Sequence, residues 1–149
     1  MTDPEIRRAP LLTRPTPAPG LDAVAVLWRT LSGGTAVQVR FVPDRHVLAA
    51  GAWEAYTTLL DQPEHGFAAD IPERLAAAVL SDCANQLVPR WLEVTVTRHS
   101  GPPETAGHRV RLEERQPGWA NPDLMNRLYT DDAIGSALRP LPRLPETPV

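Results

Sequence analysis

The run Val88-Pro89-Arg90-Trp91-Leu92-Glu93-Val94-Thr95-Val96 leaves the chain few choices. Proline has no backbone N–H and pushes the residue before it out of the helical region, so a helix must end at about Leu87 or Val88. Beyond it, Leu92, Val94 and Val96 alternate with Glu93, Thr95 and Thr97, which is the period of a half-buried strand. Upstream, Leu75, Val79, Cys83 and Leu87, joined by Ala76, Leu80 and Ala84, form one apolar stripe at helical spacing. A helix of roughly 18 residues, about 27 Å long, therefore runs directly into a strand. At its start stand Asp70 as N-cap, Pro72 in the first turn and Glu73 three residues past the cap, the pattern of a capping box.

The other elements fall on either side of this pair. Residues 22–31, rich in Val, Leu and Ala, read as a strand, and Ser32-Gly33-Gly34 supplies a turn. Residues 35–42 alternate, with Val37, Val39 and Phe41 inward and Gln38 and Arg40 outward, which completes an antiparallel hairpin. Trp53, Tyr56, Thr57 and Leu60 fall at helical spacing, and residues 61–69 form a loop. After a second loop, residues 108–115 make a fourth strand, with Val110 and Leu112 inward and Arg109, Arg111 and Arg115 outward. A short helix over residues 121–128 closes the domain.

The order strand, strand, helix, helix, strand, strand predicts an α+β fold: a four-stranded antiparallel sheet with two helices on one face. Its second face must be polar or covered by another subunit. Residues 21–130 form the domain. Residues 1–20, with five prolines, read as a flexible arm, and residues 131–149 as a proline-rich C-terminal tail.

Composition narrows the function. With 42% hydrophobic and 22% charged residues the chain reads as a soluble globular protein. A net charge of -3 gives no reason to expect nucleic acid or an anionic membrane as partner. No transmembrane run or signal peptide is evident, so the expected location is cytoplasmic. All 15 basic residues are arginine, so no lysine is available for Schiff-base chemistry. The single cysteine, Cys83, lies on the apolar stripe and reads as core. His46, His65, His99 and His108 lack ligand spacing, so neither a metal site nor a cofactor is expected.

Val39-Arg40-Phe41-Val42-Pro43-Asp44, Tyr56, Asp82 and Val88-Pro89-Arg90-Trp91-Leu92-Glu93-Val94 together resemble the tunnelling-fold superfamily, which includes GTP cyclohydrolase I and dihydroneopterin aldolase. The nearest resemblance is to the NADPH-dependent nitrile reductase family of the queuosine pathway, over about residues 22–118. The resemblance implies a ring of subunits whose sheets join into a barrel, with a purine- or pterin-like ring held at subunit interfaces. It also implies an anchoring glutamate at the start of the second helix, where Ile71-Pro72-Glu73 stands for Phe-His-Glu. A carboxylate suits that task because it accepts two hydrogen bonds side by side.

The departures are chemical. Leu27-Trp28-Arg29-Thr30 stands where the reductases carry their nucleophilic cysteine, and Ala49-Ala50-Gly51-Ala52-Trp53-Glu54 replaces their NADPH-binding Glu-Ser-Lys-Ser-Leu-Lys. Thioimide chemistry needs a thiolate, so nitrile reduction is not expected. Two readings of Glu73 stay open: ligand anchor, or helix cap alone. Trp119 is a candidate for stacking on a flat ring, and Arg109 and Arg111 for phosphate or for acidic residues of a neighbour. The expected function is heterocycle binding by a homo-oligomer. The alternatives are a non-catalytic scaffold and a cyclase or lyase built on the same pocket; no catalytic residue is assigned.

Overall fold

A computed structural model describes residues 3–67, 70–100 and 105–138. In chain order come α1 (Pro4–Arg8), β1 (Thr13–Pro15), β2 (Ala25–Leu31), β3 (Thr35–Val42), β4 (His46–Leu48), α2 (Ala52–Leu60), α3 (Pro72–Leu87), β5 (Trp91–Ser100), β6 (Ala106–Arg115) and α4 (Pro122–Leu138). The chain divides into two units, Met1–Pro117 and Gly118–Val149. In the second, α4 starts where the Asn121 side-chain oxygen accepts the Leu124 N–H at 3.1 Å. This helix continues past residue 128, the end expected for it, and into the segment read as a tail. Residues 139–149, the rest of that tail, lie outside the described residues.

In the first unit the two alternating segments make the centre of a four-stranded antiparallel sheet of order β2-β3-β5-β6. Val37, Val39, Phe41, Leu92, Val94 and Val96 are all buried on one face. Trp53, Tyr56 and Leu60 of α2 and Leu75, Val79, Cys83 and Leu87 of α3 belong to the same apolar cluster, so both helices lie on that face. The architecture is the α+β layer that the element order predicts. Gly33 and Gly34 turn the β2–β3 hairpin at φ 74 and 76, values that a side chain would strain.

Strand register defines the opposite face row by row. Val26, Arg40, Glu93 and Glu113 form one row, Trp28, Gln38, Thr95 and Arg111 the next, and Thr30, Ala36, Thr97 and Arg109 the third. Arg40 does not point into open solvent as its alternation suggests. It is buried, its Nη2 2.6 Å from a Glu93 oxygen and its guanidinium carbon 5.8 Å from the centre of the buried Trp91 ring. A buried guanidinium keeps its charge, so a paired carboxylate has to accompany it.

The N-terminal segment departs from expectation over part of its length. Within the segment read as a flexible arm, Pro4–Arg8 form α1 and Thr13–Pro15 form β1, and β1 pairs antiparallel with the equally short β4. Arg7 reaches the fully buried Asp82 of α3 through Nε at 2.5 Å and Nη2 at 2.8 Å. Arg8 Nε donates to the same carboxylate at 2.8 Å, and the Tyr56 hydroxyl donates to it at 2.6 Å. Leu11 is fully buried next to this cluster, a contribution of roughly 1.5–3 kcal/mol. The physical reason for the difference is a single carboxylate on α3 satisfied by donors from α1 and α2 at once.

Candidate functional site

Proline sets how α3 begins. Pro72 occupies the first helical position and forces Ile71 into extended backbone, φ -67 and ψ 146, so Ile71 is the cap and provides no side-chain acceptor. The expected capping box with Asp70 is therefore absent. Asp70 accepts the Ile71 N–H at 2.7 Å and pairs with Arg74 at 3.2 Å instead. Glu73 becomes the second residue of the helix rather than the third.

Its carboxylate meets β6. His108 Nε2 lies 2.8 Å from Glu73 Oε2, and the two side chains are 50% and 53% exposed. The Glu73 carboxyl is held below the usual carboxylate range, first by the backbone N–H at the helix start and then by His108. The carboxylate is thus engaged both by the helix start and by β6. His108 shares the parity of Val110 and Leu112 along β6, which puts it on the helix side of the sheet. That parity is the sequence signal that identifies it. A meeting of His99 with His108 across the strands does not occur, because His108 opposes Arg98 while His99 opposes Gly107.

The structure separates the predicted arginines from this pair. Arg109 and Arg111 stand on the opposite face of the sheet. Arg109 Nε donates to Thr97 Oγ1 at 3.2 Å, and Arg111 Nε is 3.5 Å from Glu93. Arg115 pairs with Glu113, which also accepts from Trp91 Nε1 at 2.6 Å. The arginines of this face thus have acidic or hydroxyl partners within their own sheet. Trp119 belongs to the second unit and is half-buried. Among the described residues, no group of three His, Cys, Asp or Glu side chains could hold a metal ion.

The segments that carry the family resemblance interlock. Arg90 Nη1 is 2.7 Å from Asp22 and its Nη2 3.4 Å from Asp44, while the Arg90 N–H donates to the Val42 carbonyl at 2.9 Å. Gln116 Nε2 donates to Asp44 at 3.1 Å. Tyr56 and Asp82 bond to each other as described. These residues join α3, the sheet and the segment before β2, and each has a structural task. Cys83 is fully buried, with its thiol pushed up to about 12 by burial and by Asp82, so it supplies no thiolate near neutral pH. No described helix is long and apolar enough to cross a membrane. No protein-family model matches the chain, and no curated protein matches it.

Proposed function

We propose that this is a diverged tunnelling-fold protein that forms a ring of copies and binds a flat purine- or pterin-like heterocycle where one copy meets the next. The observation that carries this reading is the Glu73–His108 pair, poised where α3 begins beside the edge strand β6. Two features support it. Four successive antiparallel strands with both helices on one face leave edges of opposite direction, which a rotated copy can join. A carboxylate fixed by one histidine at a sheet edge is also placed to accept ring N–H and amino donors across a seam. Nitrile reduction is outside this reading, because no thiolate is at hand. The exposure of the pair favours a second reading, a scaffold in which Glu73 does no more than hold His108.

Glu73→Gln separates the two. The change keeps size and helix propensity and removes the charge. Calorimetry with guanine, deazaguanine and pterin compounds should show binding to the wild type and a loss of roughly 2–5 kcal/mol in the variant, with unchanged thermal stability. Equal binding by both proteins would place the ligand elsewhere, and no binding by either would favour the scaffold.

A further inference from the structure

Trp28 is the largest exposed apolar side chain among the described residues. It is 71% exposed on the outer face of edge strand β2, with Val26 beside it at 44%. Natural edge strands are blunted by charge, proline or cover. The one charge on β2, Arg29, is turned to the helix side, where its Nη1 donates to the Glu54 carbonyl and to Thr57 and Thr58, each at 2.9 Å. The Trp28 carbonyl already accepts Trp53 Nε1 at 3.0 Å, which fixes the strand at this row. Backbone pairing with a neighbour therefore has less to offer here than the side chain has.

At the other edge, β6 carries Arg109 and Arg111 on the same outer face, with Arg111 in the very row of Trp28. Because β2 and β6 run in opposite directions, a copy rotated about an axis parallel to the strands sets its β6 beside β2 as an antiparallel neighbour. An indole is the best aromatic partner for a guanidinium, and a guanidinium gives up its water more readily than an ammonium. We propose that Trp28 is the seam residue of this protein, packing over the Arg109 and Arg111 guanidinium groups of the adjoining copy. This rests on the ring reading above, and adds to it which side chains close the joint.

Light scattering over a dilution series of the full chain tests it, with circular dichroism to verify the fold. Since Trp28 is exposed, Trp28→Arg should fold normally, yet it sets cation against cation. The expected result is a half-assembly concentration raised by roughly tenfold or more, with recovery when Trp28→Arg is combined with either Arg109→Glu or Arg111→Glu. As a second readout, the emission lost in Trp28→Phe should lie to the blue in assembled protein and to the red in dilute protein. Trp28→Arg assembling like the wild type would overturn the seam assignment and leave the ring standing. Lack of recovery in both combined variants would also overturn it, by removing the arginines as partners. A wild type that stays monomeric would overturn the ring and the seam together.

Discussion

Val88 leaves α3 at φ 44 and ψ 57, the left-handed region, and it is the one non-glycine residue described there. A β-branched side chain fits this region worst, at a cost of roughly 1–3 kcal/mol. Neighbouring bonds impose it. The Val88 N–H donates to the Ala84 carbonyl at 3.1 Å, and the Val88 carbonyl accepts from Gln116 Nε2 at 3.1 Å. Pro89 forbids the helix from continuing. The side chain is 54% exposed and returns little by burial. Val88→Asn should therefore stabilise the protein by about 1 kcal/mol, since asparagine tolerates this conformation. Urea unfolding would show a higher midpoint at unchanged slope; a lower midpoint would mean that the valine makes a contact worth more than its strain.

Between elements, the decisive joint is the carboxylate of Asp82, where α1, α2 and α3 converge. Asp82→Asn keeps the shape but leaves the Arg7 guanidinium buried against a neutral group. The expected cost is about 3–5 kcal/mol, read from denaturant unfolding. Arg8→Gln should cost much less, because Arg8 is partly solvated and Arg7 still neutralises the carboxylate. Comparable losses in the two variants would show that the cluster acts as one network. This joint was invisible in the sequence. Arg7 and Asp82 are 75 residues apart, and β1 and β4 have three residues each, too few for any period to register. By contrast, β3, β5 and α3 could be read because eight or more residues repeat one pattern. The start of α3 was misread by one residue, since the restriction that Pro72 puts on Ile71 outweighs the capping preference of Asp70. Of the candidate site, Glu73 was legible as a residue, whereas its partner His108 became visible only once strand parity placed it.

For the molecule as a whole, Cys83 serves as a reporter. Its sulfur lies in the apolar cluster that α2, α3 and the sheet enclose, so a thiol reagent reaches it only when that cluster opens. Labelling in native buffer should follow global unfolding, slowing in Val88→Asn and accelerating in Asp82→Asn. Fast labelling in all three proteins would reveal a local opening of α3. The same core governs the alkaline limit. Burial raises the Cys83 thiol from 9.0 to about 12 and, together with Cys83 and Asp82, takes the Tyr56 phenol well above 10.0. Groups raised on folding stabilise fully below their unfolded values and lose that contribution as pH rises through the folded ones. Stability contributed by these two groups should thus be level across neutral pH and fall above about pH 9–10.

The 75-residue separation of Arg7 and Asp82 also has a meaning in time. A ribosome adds about 5–20 residues each second, so the two arginines of α1 are made roughly 4–15 s before their carboxylate. Through that interval α1 is a basic segment of the nascent chain without its anchor, open to chaperones. α1 can dock only after α3 has been made, and anything that holds it before then delays the finished protein.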